Sequence, residues 1–339
     1  KVILDKYFEY PQVIYNNLTK LRDRVKNHID LEKFSKEIQN TEKEITLFHA
    51  NVVEQVLKNT RINVNLIGFH GQTIYHNSKE KISKQLGDGK LLSKLSKKTV
   101  INKFRQNDLK NEGQGAPLTP IFHKLLVEQN KINLPVIIVN LGGIANYTLI
   151  YNQKKLKENF LISADTGPGN CLIDQWIRNK SNNKYDKGGN IASLGKIDTK
   201  ILTQVLASNN EKKSYDIKDF DLSPFQKLSL EDGAATLAEY SAVTIKLNLL
   251  NYLKDINWNK SINILISGGG RKNNFLINRI KKNITRPVKL IDDLKINGDF
   301  IESQAFAYLA IRSYLKLPIS FPSTTGVKKS CTGGEIFNN

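Results

Sequence analysis

Asp165-Thr166-Gly167-Pro168-Gly169-Asn170 decides the fold, because it closes the apolar run Asn159-Phe160-Leu161-Ile162-Ser163-Ala164. A short apolar run bounded by turn residues reads as a buried strand. The Gly-Pro-Gly reads as a tight turn, and Cys171-Leu172-Ile173-Asp174-Gln175-Trp176-Ile177 as the start of a helix. A carboxylate is therefore expected where a strand ends, beside a loop whose glycines admit backbone N–H groups to a ligand. In open α/β sheets, ligands bind at the carboxyl ends of strands. Backbone donors there suit a phosphate, and a carboxylate suits proton abstraction. A lone Asp-x-Gly would instead read as a turn cap.

Two more segments share this design. The apolar stretch Leu134-Pro135-Val136-Ile137-Ile138-Val139-Asn140 runs into Leu141-Gly142-Gly143-Ile144-Ala145-Asn146, and Tyr147–Ile150 completes a hairpin pattern with the glycine pair at its turn. Further on, Ile262-Asn263-Ile264-Leu265-Ile266-Ser267 ends in Gly268-Gly269-Gly270, and Asn273-Asn274-Phe275-Leu276 opens a helix. Three consecutive glycines cost conformational entropy unless backbone must approach something closely. One such loop is weak evidence, since glycine punctuates ordinary turns. Three of them at strand ends point to a nucleotide-sized phosphate ligand.

At 339 residues the chain exceeds the span of one usual hydrophobic core, so two domains are expected. The 40% hydrophobic content is that of a soluble globular protein. No apolar stretch reaches membrane-spanning length and the N-terminus lacks a signal-peptide core, so no membrane association is expected. Two cysteines, Cys171 and Cys331, match no metal-binding spacing and agree with a reducing, cytoplasmic setting. The net charge of +19 raises a nucleic-acid reading. Against it, the excess is mostly lysine spread among Asn and Ile, as in Lys79–Lys103 and Lys254–Lys282, without the Arg and aromatic stripe of nucleic-acid modules. No nucleic-acid partner is expected. The chain contains no Met, including at position 1, which raises the expectation that its natural start is missing.

Residues 12–60 carry apolar positions at helical spacing, such as Leu47, Ala50, Val53 and Leu57. Val64–Phe69 and Thr99–Phe104 read as strands, Ile121–Glu128, Thr199–Ala207, Leu230–Leu253 and Phe300–Leu317 as helices, and Val288–Ile291 as a strand. Strands alternating with helices predict an α/β fold with mixed sheets. The expected division is 1–130 as a first domain, 131–320 as a second, and 321–339 as a tail returning toward the first, with Pro322–Glu335 loop-like.

His70-Gly71-Gln72-Thr73, Gly113-Gln114-Gly115-Ala116-Pro117-Leu118, Asn140–Asn146, Asp165–Asn170, Gly268–Gly270, Glu302-Ser303-Gln304-Ala305-Phe306-Ala307 and Pro322-Ser323-Thr324-Thr325-Gly326 together resemble the anhydro-N-acetylmuramic acid kinase family. The motifs keep the family's order from about residue 60 onward. The resemblance implies the two-domain sugar kinase/actin-like ATPase fold, with a mixed β-sheet flanked by helices in each domain and a ligand cleft between them. It implies an ATP- and Mg²⁺-dependent enzyme that hydrolyses the 1,6-anhydro ring of 1,6-anhydro-N-acetylmuramic acid and phosphorylates O6 during peptidoglycan recycling. A homodimer is in keeping with family behaviour.

By the same resemblance Asp165 is the general base, and Asn140, Gly142, Gly143, Thr166, Gly167, Gly169, Asn170, Gly268, Gly269 and Gly270 line the nucleotide. His70, Gln72, Arg105, Gln114 and Glu302 are sugar-side candidates, and the metal ligands are unassigned. Three of the sugar-side candidates have plainer readings: His70 a strand hydrogen bond, Arg105 a surface ion pair, Glu302 the first-turn acid of its helix. The sequence departs from the family pattern in two places. The family's Gly-Thr-Ser-x-Asp-Gly phosphate loop has no counterpart, and Asn102-Lys103 stand where Gly-Asp is usual. Loss of the loop would leave sheet edges unpaired and remove part of the phosphate cradle. These departures motivate an alternative, a non-catalytic sugar- or nucleotide-binding protein of the same fold.

Overall fold

The computed structural model describes residues 2–58, 60, 63–152, 159–207, 215, 219–255 and 262–338. In chain order the elements are helices α1 (Gln12–Arg24), α2 (His28–Lys33) and α3 (Ser35–Lys58), strands β1 (Leu66–Gly68), β2 (Gln72–Asn77) and β3 (Ile82–Leu86), helix α4 (Gly89–Ser96), strand β4 (Thr99–Asn102), and helices α5 (Gln106–Lys110) and α6 (Pro120–Gln129). Strands β5 (Val136–Leu141), β6 (Ile144–Asn152) and β7 (Asn159–Pro168) follow, then helices α7 (Cys171–Lys180), α8 (Thr199–Ala207) and α9 (Leu230–Asp255). Strand β8 (Asn263–Ser267), helix α10 (Asn274–Asn283), strand β9 (Val288–Leu290), helix α11 (Ile301–Tyr314) and strand β10 (Glu335–Phe337) complete the series.

The chain forms two units, residues 1–122 with 302–339, and residues 123–301. The second unit is built on a five-stranded sheet in the order β7-β6-β5-β8-β9. β5 runs parallel to β8 and antiparallel to β6, which is antiparallel to β7, while β8 is parallel to β9. Four strands therefore share one direction and β6 opposes them. The run Val136–Val139 is apolar at every position because β5 is the central strand, buried on both faces. Alternate residues Val139, Leu141, Tyr147, Leu149, Ile264 and Ile266 pack with Leu172 and Trp176 of α7, Leu237, Ala238, Ala242 and Ile245 of α9, and Leu276 and Ile280 of α10. α9 buries Ala234, Ala235, Ala238 and Ala242 completely, small residues that let neighbouring backbone come close. The Asn273 side chain caps α10 by accepting from the Leu276 amide at 2.9 Å.

The first unit holds a three-stranded sheet, β1-β4-β10, and the β2–β3 hairpin. β1 is parallel and β10 antiparallel to β4. One core joins Leu18 and Leu21 of α1, Ile38 and Ile45 of α3, Ile74, Leu86, Leu92 and Val100. A second joins Ile101, Phe104, Leu118 and Ile319 to Phe306, Leu309 and Ala310 of α11.

Three sequence expectations change here. The second-domain expectation for 131–320 takes in α11, yet α11 lies in the first unit, because its apolar face is the lid of the Ile101–Phe104 core. The stretch Pro322–Glu335 is not wholly loop: Cys331 bridges to Ser320, and Glu335 opens the strand Glu335–Phe337 that pairs with β4. The strand before the Gly-Pro-Gly does not stop at Ala164 but pairs with β6 as far as Ile144↔Pro168. No helix among the described residues is long and apolar enough to cross a membrane.

Candidate active site

Because β5, β7 and β8 share a direction, their carboxyl ends lie on one edge of the second unit's sheet, each followed by glycine. The loops are knitted together there by backbone. The Gly169 and Cys171 amides donate to the Gly143 carbonyl at 2.9 and 3.1 Å, and the Asn170 amide donates to Gly142 at 2.8 Å. The Asn170 side chain donates to the Leu141 carbonyl at 3.3 Å, and a Cβ placed on Gly270 would fall 2.8 Å from its carboxamide. Asn170 is thus the contact shared by the loops after β5, β7 and β8. Asn140 lies against Gly268, whose added Cβ would collide with the Asn140 Oδ1.

Behind the Gly268–Gly270 loop stands a buried cation that the sequence reading missed. Arg271 is 5% exposed and donates to the Gly268 carbonyl at 3.1 Å, to Asp292 at 2.6 and 3.2 Å, and to Asp299 at 2.9 Å. Neutralised by two carboxylates, the guanidinium fixes the loop from beneath. Only the pairing with Asp292 and Asp299, 21 and 28 residues away, reveals this role.

Asp165 lies inside β7, not at its end. A register shift between Ala145 and Asn146 places one extra residue on β7, so that Asn146 opposes Asp165 and Ala145 opposes Gly167. Asp165 is 8% exposed, and its Oδ2 accepts the Tyr215 amide at 2.9 Å. Across the sheet the register runs Asp165, Asn146, Asn140, Ser267 on β7, β6, β5 and β8. Directly opposed residues share a face, so this is a polar row one step inside the glycine loops. Among the described residues the Asn146 Oδ1 in this row is buried without a hydrogen-bond partner; in the sequence Asn146 stands only as the end of the Asn140–Asn146 motif. Beside Tyr215, burial pushes the Tyr240 hydroxyl up to about 12, so it stays protonated at neutral pH.

The nucleotide-side candidates divide by what already occupies them. The Thr166 hydroxyl donates to the Ala145 carbonyl at 3.1 Å and is fully buried. Gly167 has φ +120°, and a Cβ there would come within 3.3 Å of Thr244 on α9, so helix packing explains this glycine. Gly143 is exposed, and Gly269 has nothing within 4 Å of an added Cβ. Among the described residues, backbone at these two positions is open to an incoming group.

The sugar-side candidates all belong to the first unit. His70, after β1, takes two hydrogen bonds from Arg105 at 3.2 and 3.0 Å. Arg105 also donates to the Gly115 carbonyl at 2.8 Å. Gln72 donates to the Tyr10 hydroxyl at 3.3 Å, which pairs with His49 at 2.8 Å. The Gln114 amide donates to the Thr325 carbonyl at 2.8 Å. Glu302 is an exposed residue in the first turn of α11. Asp108, also not foreseen, is fully buried and accepts the Gly115 amide and the Thr325 hydroxyl, each at 2.5 Å. Burial pushes His49 and His76 down to about 4, and His70 to about 3 with help from the Arg105 charge, so all three rings are neutral at pH 7. At the departure from the family pattern, Asn102 donates to the Gly87 carbonyl at 3.1 Å, and Lys103 pairs with Glu335 at 2.7 Å.

A family model described as anhydro-N-acetylmuramic acid kinase matches residues 1–339. A protein of that name from Pelagibacter ubique (strain HTCC1062) is 51% identical over 346 residues, covering 99% of this chain and 91% of its own. Another from Zymomonas mobilis subsp. mobilis is 38% identical over 306 residues, covering 88% and 81%. Among solved structures, a gluconate kinase from Lactobacillus acidophilus covers 79% of this chain and 51% of its own at 12% identity and a TM-score of 0.35. The sequence relatives define the class first: this chain is a kinase. It belongs to the anhydro-N-acetylmuramic acid kinase family.

Proposed function

We propose that this chain uses ATP to convert 1,6-anhydro-N-acetylmuramic acid to N-acetylmuramic acid 6-phosphate, a step of peptidoglycan recycling. The observation that carries the residue assignment is Asp165, a nine-tenths buried carboxylate one row inside the glycine edge of the second unit. Asp165 takes a proton from the water that attacks the anomeric carbon. The C1–O6 bond breaks, and O6 attacks the γ-phosphorus as the bond to the ADP oxygen breaks. Backbone at Gly142, Gly143, Gly169 and Gly268–Gly270 approaches the nucleotide, with Asn140 and Asn170 shaping the loops. Thr166 and Gly167 serve the strand and its packing on α9.

Among the described residues no group of three or more His, Cys, Asp or Glu is placed to hold a metal. Mg²⁺ in kinases is bound largely through substrate phosphates, water and one or two carboxylates, and in this reading it enters on ATP and offsets phosphate charge. Arg105, Gln72, Gln114 and Glu302 are the proposed sugar contacts.

The test is incubation of the protein with ATP, Mg²⁺ and the anhydro sugar, followed by mass spectrometry. A product heavier by one water and one phosphoryl group is expected. A folded protein that gives no such product overturns the proposal.

A further inference from the structure

Both nitrogens of the His70 ring are committed within the first unit. A carbonyl only accepts, so the Nδ1 that lies 2.9 Å from the Gly71 oxygen carries the proton. A guanidinium only donates, so Nε2 is the acceptor for Arg105 Nε at 3.2 Å and Nη2 at 3.0 Å. The ring packs on Phe306, with centroids 4.1 Å apart and a tilt of 33°. Burial and the adjacent guanidinium charge keep it neutral, which preserves this proton arrangement through the physiological range.

Arg105 is in turn gripped at its other end. Its Nη1 donates to the Gly115 carbonyl, while the Gly115 amide donates to Asp108 one helical turn further along. Asp108 also takes the Thr325 hydroxyl, and the Thr325 carbonyl takes the Gln114 amide. The circuit joins the His70–Thr73, Gly113–Leu118 and Pro322–Gly326 motifs through Arg105 and Asp108. A guanidinium held at three of its N–H groups has a fixed plane, and a planar fork fixed in advance loses less entropy when it binds.

We infer that His70 is a positioning residue that orients Arg105 for the sugar and does not itself touch the reacting atoms. With Nδ1 donating to backbone and Nε2 accepting from Arg105, the ring has neither a hydrogen bond left for a sugar hydroxyl nor a proton to exchange. This inference rests on the kinase reading above for its kinetic consequences, but its geometric content does not.

The geometric arm uses ¹⁵N-labelled protein without ligands, reading the ring nitrogens by long-range ¹⁵N–¹H correlation. His70 should remain neutral and Nδ1-protonated from about pH 5 to 9, and Arg105→Ala should release the ring to titrate or change tautomer. A wild-type ring that titrates normally overturns the inference. The kinetic arm compares His70→Gln, whose Oε1 keeps an acceptor for Arg105, with His70→Leu, which has none. His70→Leu should raise the sugar KM about tenfold, leave kcat and the ATP KM within about twofold, and add little on an Arg105→Ala background, since a residue acting only through another is non-additive with it. His70→Gln should stay within about threefold of wild type. Loss of kcat by about 10²-fold in both variants, or full additivity with Arg105→Ala, overturns the inference. Should His70→Leu fail to fold, a loss of kcat of about 10²-fold in His70→Gln, or a wild-type ring that titrates normally, still overturns the inference. A wild-type protein inert toward the anhydro sugar would remove the kinase reading, and the resonance arm would still decide the His70–Arg105 arrangement.

Discussion

Asp165 and the glycine edge are where single substitutions discriminate most sharply. Asp165→Asn keeps the size of the side chain and an acceptor for the Tyr215 amide, so sugar and ATP binding should be nearly unchanged. It cannot take the proton of the attacking water, and turnover should fall about 10²–10⁴-fold. Calorimetry for binding and a coupled ADP assay for turnover check both halves. Near-normal turnover would reduce Asp165 to an anchor for Tyr215. Adjacent glycines give a second contrast. Gly268 has φ +81° and its added Cβ would meet Asn140 and the Leu141 carbonyl, so Gly268→Ala should destabilise the protein by about 1–3 kcal/mol. Gly269 faces open space, so Gly269→Ala should change stability by less than about 0.5 kcal/mol while raising the ATP KM. Thermal melts and ATP titrations of the pair separate a folding glycine from a ligand-facing one. An unchanged ATP KM in Gly269→Ala would remove Gly269 from the nucleotide contacts.

At the scale of elements, α7 carries a titrating group with a predictable sign. Burial is the main cause that pushes Asp174 up to about 6, reinforced by Asp186 and opposed by Arg178. A carboxyl raised in the folded state favours folding when protonated, and that contribution is lost as pH rises through about 6. At pH 7.5 the ionised group opposes folding by up to about 3 kcal/mol, the product of the shift and the cost per unit. Asp174→Asn should therefore stabilise the protein at about pH 7.5 and change little below about pH 4. Urea melts at the two pH values check it, and equal effects at both would show that Asp174 does not titrate in this way. What sequence conveyed about elements follows the same local logic. The β5–β6 hairpin was legible in Val136–Asn140 with its glycine pair, since a continuous apolar run and turn chemistry are local. The true end of β7 was hidden, because pairing of Gly167 and Pro168 with β6 depends on a bulge and on register. The place of Asn146 was hidden for that reason: only strand pairing sets it opposite Asp165.

At the scale of the whole molecule, the glycine loops and Asp165 were legible as motifs, whereas the membership of α11 was not. An apolar helical face states that it must be covered, but not by which sheet. Phe306, Leu309 and Ala310 cover Ile101, Phe104 and Ile319, so a helix encoded after the second unit completes the first. The second unit, by contrast, draws its core from Ile137 to Val288–Leu290, entirely within residues 123–301. Ending the chain at residue 301 should accordingly have unequal effects. It strips α11 from one core and β10 from β4, exposing Ile101 and Phe104, which are at most 1% exposed in the intact chain. Loss of several large core side chains costs about 2–5 kcal/mol each, comparable together to the whole stability of a domain. The truncated protein should show one cooperative melt from the second unit, with residues 12–122 exchanging amide hydrogens at rates near those of an unfolded chain. Hydrogen exchange read by mass spectrometry distinguishes the halves peptide by peptide. Protection of β4 and α4 surviving the truncation would mean that the first unit's core stands without α11, and the division of the chain drawn from packing would have to be redrawn.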